Sequence, residues 1–132
     1  MEKDVVLVIN PGSTSTKVAL FDRDQPVYSE TIRHSQDELD QFQHISDQLE
    51  YRFKIIHDRI LAVCNEKDLM IKGIAGRGGI VRPLEGGIYH INERFLKDAR
   101  SGKYGKHASN LGSLLADRFR RELDLKDCYT VD

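Results

Sequence analysis

The chain has 132 residues, a single-domain size, and an ordinary globular composition of 39% apolar and 31% charged residues. Its 20 Lys and Arg face 21 Asp and Glu, and a net charge of −1 gives no electrostatic reason to expect a nucleic acid or an anionic membrane as partner. No stretch approaches the roughly 20 apolar residues that cross a bilayer. Met1–Asn10 lacks the basic region and long apolar run of a signal peptide, and Cys64 and Cys128 fit no metal spacing, so both read as reduced thiols of a cytoplasmic protein.

In chain order, Asp4–Asn10 predicts a buried strand, because Val5 to Ile9 form an apolar, β-branched run too short for a helix. Pro11-Gly12 and Ser13 to Thr16 predict a turn, Lys17–Phe21 a second strand, Asp22–Pro26 another turn and Val27–Arg33 a third strand. Ser35 and Glu38 form a capping box. Behind it Leu39, Phe42, Ile45, Leu49, Phe53, Ile56, Ile60 and Val63 step three or four apart, predicting a long amphipathic helix with a possible break near His44–Ser46. Leu69–Ala75 predicts a fourth strand leading into the glycine-rich Gly73–Gly87. A short helix is expected from Asn92 to about Arg100, then a loop over Ser101–Lys106. Leu111, Leu115 and Phe119 mark a further helix, and Asp127–Asp132 a last strand.

The order β-β-β-α-β-α-β, with three antiparallel strands first and later strands joined through helices, predicts an α/β domain. Its sheet is mixed, its faces are covered by helices, and its arrangement is ribonuclease H-like, as in actin-like ATPases.

Three segments and the last residue carry chemistry. Asn10-Pro11-Gly12-Ser13-Thr14-Ser15-Thr16-Lys17 lies between two strands. Amides in such a turn form an anion-binding concavity, hydroxyls add donors, and Lys17 adds a compact positive charge. The spacing is not that of a Walker A loop, and no helix follows. Gly76-Arg77-Gly78-Gly79-Ile80-Val81-Arg82-Pro83-Leu84-Glu85-Gly86-Gly87 surrounds two arginines with glycine, and a guanidinium binds carboxylate or phosphoryl groups bidentately. His107-Ala108-Ser109-Asn110 opens a predicted helix, whose free N–H groups favour anions. Asp132 stands at the carboxyl end of the last strand, where ligands sit in such sheets.

The string VLVINPGSTSTKVALFD resembles the opening of the acetate and butyrate kinase family, and its Pro-Gly-Ser-Thr-Ser-Thr-Lys form is similar to the butyrate branch. GRGGIVRPLEGG also resembles that branch, where acetate kinases carry an HR-x-x-HGG pattern. The resemblance covers essentially the whole chain. It implies transfer of phosphate from ATP, with Mg²⁺, to a short-chain carboxylate such as butanoate, in an enzyme that is a homo-oligomer at full length.

By the same resemblance Gly12, Ser13, Ser15 and Lys17 meet nucleotide phosphates, Asn10 lies near the magnesium ion, and Arg77 holds the substrate carboxylate, with Arg82 the alternative. His107 faces the cleft and Asp132 is an active-site aspartate. His34, His44, His57 and His90 read as structural. Family members are longer, so these 132 residues are expected to be an N-terminal domain whose partner domain lies outside them. Two other readings stay open: a non-catalytic nucleotide- or partner-binding domain, and a hydroxyl kinase of the same superfold.

Overall fold

A computed structural model describes residues 2–77, 88–101 and 108–131. The strands β1 (Lys3–Pro11), β2 (Ser15–Asp22) and β3 (Gln25–Arg33) form two successive antiparallel hairpins. A short helix α1 (Gln36–Leu39) and a 3₁₀ turn (Ile45–Gln48) precede the long helix α2 (Leu49–Lys67), which leads into β4 (Leu69–Arg77). The remaining elements are β5 (Ile88–His90), α3 (Glu93–Ser101), a 3₁₀ turn (Ala108–Asn110), α4 (Leu111–Glu122) and β6 (Tyr129–Val131).

These strands make one six-stranded sheet in the order β3-β2-β1-β4-β6-β5. The central strands β1, β4 and β6 are parallel to one another, and the flanking strands are antiparallel. The expected mixed sheet with three antiparallel N-terminal strands is therefore present. One strand was not expected: β5 is three residues long and pairs with β6 at the sheet edge, following a glycine pair, and so few residues carry no readable periodicity.

One face of the sheet carries the core. Val5, Leu7 and Ile9 of β1, Val18 and Leu20 of β2 and Ile74 of β4 are buried. They join Phe53, Ile56 and Ile60 of α2 and Leu111, Leu114, Leu115 and Phe119 of α4 in one cluster. Phe53 and Phe119 meet at 4.7 Å between centroids, and the guanidinium of Arg118 lies 4.0 Å from the Phe53 ring centre.

The opposite face does not match the expectation of helices on both sides. Val6, Met70 and Tyr129 are 39%, 37% and 42% exposed, and the register puts Val6 and Tyr129 on the face away from the core. The run Val5–Ile9 is apolar throughout, so sequence alone does not distinguish a strand buried on both faces from one buried on alternate residues.

The predicted long helix is divided, as the break expected near His44–Ser46 allowed, but the division begins earlier, after Leu39. Ser35 caps α1, accepting from the Glu38 amide at 3.5 Å, but α1 lasts only four residues. The chain leaves the helix through Asp40–His44. It re-enters where the His44 amide donates to Asp47 Oδ2 at 3.2 Å and the Asp47 amide to the His44 carbonyl at 3.0 Å. Helix α2 ends at Asp68, whose φ of 57° is the left-handed turn that closes a helix, its N–H donating to the Cys64 carbonyl.

Helix α4 approaches β4 unusually closely at Gly76 and Gly112. A Cβ on Gly76 would lie 2.1 Å from the Gly112 carbonyl oxygen, and one on Gly112 would lie 2.3 Å from the Arg77 carbonyl oxygen. Only two glycines facing each other allow this backbone contact, which fixes the end of β4 against the start of α4. Among the described residues no helix is long and apolar enough to cross a membrane.

Candidate functional site

The β1–β2 hairpin ends in a tight loop. Pro11 is opposite Thr16 in the register, and within the loop the Gly12 amide donates to the Ser15 carbonyl at 2.7 Å. Ser13 and Thr14 are exposed at its tip, and Ser15 is half-buried. Gly12 is not in the left-handed region, and a Cβ there would make ordinary contact with Ser15, so the protein's own backbone does not require glycine at this position.

Strand alternation sorts the candidate residues by face. Ile9, Thr16, Val18 and Gly76 point to the core side, so Asn10, Lys17 and Arg77 point to the open side. Asn10 is opposite Lys17, and Ile9 is opposite Gly76, the residue before Arg77. The three polar residues therefore share one face at one end of the sheet, where β1 and β4 end and β2 begins. Lys17 and Arg77 are exposed, and Asn10 is half-buried. His107, Asp132 and the alternative Arg82 lie outside the described residues, as does 78–87, the rest of the glycine-rich segment.

One site residue had no place in the sequence reading. Arg52 of α2 is 0% exposed, and its guanidinium fills the space behind the loop. Nη1 donates to the carbonyls of Gly12 (2.7 Å) and Ser15 (3.1 Å) and to Thr16 Oγ1 (3.3 Å). Nη2 donates to the Ser13 carbonyl at 2.9 Å. Gln48 Oε1 accepts from Nε at 3.1 Å and from Nη2 at 2.9 Å, which sets the angle of the fork. Burial pulls the guanidinium pKa down to about 10, so the group is still charged at neutral pH. A signal for it exists: Arg52 stands three residues after Leu49 and four before Ile56, inside the apolar stripe of the helix.

Thr16 links Arg52 to His34. Thr16 Oγ1 lies 2.8 Å from His34 Nε2, and the His34 amide donates to the Thr14 carbonyl at 2.9 Å. The Thr16 hydroxyl accepts from Arg52 and still has both a proton and a second lone pair for Nε2, so the pair is bonded in either neutral tautomer of His34. Among the described residues Nδ1 has no hydrogen-bond partner, and the ring meets Tyr51 edge-on at 5.9 Å.

Burial, aided by the charge of Arg52, pulls the His34 pKa from 6.5 to about 4. The unfolded chain thus takes up a proton near pH 6.5 that the folded chain refuses until about pH 4. Stability from this residue is complete above pH 7 and falls as pH drops through that window, by up to about 3 kcal/mol. Urea unfolding at pH 7 and pH 4.5 should show this loss in the wild type and much less of it in His34→Gln. Parallel losses in the two proteins would show that His34 is not held neutral.

The donor set suits a magnesium–nucleotide pair better than a free metal. Among the described residues no three His, Cys, Asp or Glu side chains come together as a metal site. Magnesium is commonly held by one or two protein oxygens together with substrate phosphates. The half-buried Asn10 amide beside Lys17 offers one such oxygen next to the loop.

No family model matches the chain. Over 130 residues it is 43% identical to butyrate kinase 2 of Clostridium acetobutylicum, covering 96% of this chain and 35% of that protein. Over 127 residues it is 40% identical to a probable butyrate kinase of Listeria monocytogenes, with the same coverage of each. It therefore spans about a third of the length of these curated relatives. Among solved structures it is similar to an exopolyphosphatase from Cytophaga hutchinsonii, with TM-score 0.61 and 9% identity over 99% of this chain and 54% of that one. It is similar to the acetate kinase of Porphyromonas gingivalis, with TM-score 0.56 and 15% identity over 97% of this chain and 37% of that one. A propionate kinase from Francisella tularensis gives TM-score 0.53 and 16% identity over 99% of this chain and 36% of that one. At these identities the structural likeness speaks for the fold.

Proposed function

We infer, from a chain similar in sequence to about a third of the length of butyrate kinases and in fold to acetate and propionate kinases, that it is the N-terminal, phosphate-binding domain of a two-domain carboxylate kinase. The reaction is ATP plus butanoate, or a close short-chain acid, giving ADP and the acyl phosphate. The observation that carries this reading is the shared face: Asn10, Lys17 and Arg77 stand together beside the β1–β2 loop.

A carboxylate, with its pKa near 4–5, is ionised at neutral pH and needs no base. One of its oxygens forms a bond to the γ-phosphorus as the bond from that phosphorus to the ADP oxygen breaks, so alignment and charge neutralisation are the protein's tasks. Arg77 holds the carboxylate in its guanidinium fork. Lys17, Gly12, Ser13 and Ser15 hold the nucleotide phosphates. Magnesium, when bound, would neutralise phosphate charge; Asn10 would help to hold it, and by the family resemblance Asp132 and His107 would serve the same site. The two buried free cysteines, Cys64 and Cys128, support a cytoplasmic setting. That the whole enzyme is a homo-oligomer rests on the family resemblance.

The experiment is hydroxamate trapping of acyl phosphate with ATP, Mg²⁺ and butanoate. An enzyme carrying this chain as its first domain should form acyl phosphate steadily, and the 132-residue chain by itself should form none, since charge neutralisation at the γ-phosphate is incomplete on one domain. Steady turnover by the isolated chain would contradict the two-domain reading. Absence of acyl phosphate with every short-chain acid in the larger enzyme would end the carboxylate kinase reading.

A further inference from the structure

We propose that Arg52 is the positioning residue of the β1–β2 loop, a buried guanidinium that turns the Ser13 and Thr14 amides toward a phosphate group and supplies the positive charge behind them. The proposal rests on the phosphate-binding reading of that loop and names the residue that creates its geometry.

The first argument is stereochemical. In a planar trans peptide the C=O and N–H bonds point in opposite directions. Arg52 takes the carbonyls of Gly12 and Ser13 toward the core. The amides in those same two peptide units belong to Ser13 and Thr14, so both are aimed away from Arg52, to the exposed side of the loop. Neither donates to another described residue. One fork therefore orients two neighbouring donors outward, the arrangement that receives an anion.

The second argument is electrostatic. Arg52 is fully buried, and every acceptor it meets is a carbonyl, an amide oxygen or a hydroxyl. It makes no ion pair with a described carboxylate, and a buried charge without a countercharge is costly. A phosphate on the far side of the loop would offset that cost through a thin layer of oriented peptide dipoles. Arg52, Thr16 and His34 then form one rigid backing, in which a neutral His34 adds no second positive charge.

The test is a ¹⁵N NMR titration of the 132-residue chain with inorganic pyrophosphate and with ATP. In the wild type, the Ser13 and Thr14 amides should shift strongly with either probe. Arg52→Met should keep the core resonances of Leu7 and Phe119 and lose at least tenfold in affinity, with the Ser13 and Thr14 signals displaced before any ligand is added. Arg52→Lys keeps the charge without the fork and should recover only part of the affinity. A folded Arg52→Met with wild-type affinity overturns the proposal and leaves the phosphate-binding reading standing. No binding of either probe by the wild type ends that reading and the proposal together. Should Arg52→Met fail to fold, Gln48→Ala decides, because it frees the fork without touching the loop. Affinity reduced severalfold, with shifted loop amides, supports the proposal, and an unchanged titration overturns it.

Discussion

Gly112→Ala should lower the melting temperature of the domain by about 10 °C or more, or prevent folding altogether. The new methyl carbon, whose position the main chain fixes, would stand 2.3 Å from the Arg77 carbonyl oxygen, a main-chain atom. A side-chain collision can be relieved by a rotamer change, but this one requires α4 to lift from β4. Forced overpacking typically costs about 1–3 kcal/mol, and a clash with main chain that no rotamer change relieves belongs at or above the top of that range. For a domain of this size about 3 kcal/mol corresponds to roughly 10 °C, against a total stability of about 5–15 kcal/mol. Gly76→Ala, with its Cβ 2.1 Å from the Gly112 carbonyl oxygen, should be at least as severe. Gly12→Ala is the internal control, since its Cβ would meet Ser15 at an ordinary 3.5 Å. Thermal unfolding followed by circular dichroism reads all three. A Gly112→Ala protein that melts within two degrees of the wild type would mean that α4 does not rest on β4 as described.

That contact bears on function because it lies directly beneath the candidate site. Arg77 is the last residue of β4, and its own carbonyl is the atom that Gly112 must clear. The sheet sets the face on which the Arg77 side chain stands, and the glycine pair sets the height of α4 behind it.

Much of this arrangement was readable from residue types. The two N-terminal hairpins follow from apolar runs punctuated by Pro11-Gly12 and Asp22–Pro26. The places where the reading failed have physical reasons. The break allowed near His44–Ser46 begins earlier, after Leu39, and Leu39, Phe42, Ile45 and Leu49 keep a helical step across it, because spacing reports which residues are apolar and says nothing of backbone dihedrals. The alternation in β1 was hidden because its outward positions, Val6 and Val8, are as apolar as its inward ones. Arg52 was passed over because an arginine in a helix is ordinarily solvent-exposed, and its burial follows from carbonyls contributed by a loop about forty residues earlier.

The second large effect expected is a division of labour between two cations on one face. In an enzyme carrying this chain, Arg77→Ala should remove a charge-assisted contact to the substrate carboxylate worth about 1.5–3 kcal/mol, or roughly 10- to 150-fold in kcal-equivalent rate terms. The loss should fall on the KM for butanoate and on the corresponding kcat/KM, with the KM for ATP nearly unchanged. Lys17→Ala should show the reverse bias, because Lys17 stands opposite Asn10 beside the phosphate loop. Arg82→Ala, in the same glycine-rich segment, should affect carboxylate use little.

The steady-state comparison of these three variants, by acyl phosphate formation with ATP and butanoate varied in turn, tests the carboxylate kinase site most directly. The predicted result is a carboxylate defect in Arg77→Ala and a nucleotide defect in Lys17→Ala. A carboxylate defect in Arg82→Ala with a near-normal Arg77→Ala, or loss of ATP affinity alone in both arginine variants, would contradict it.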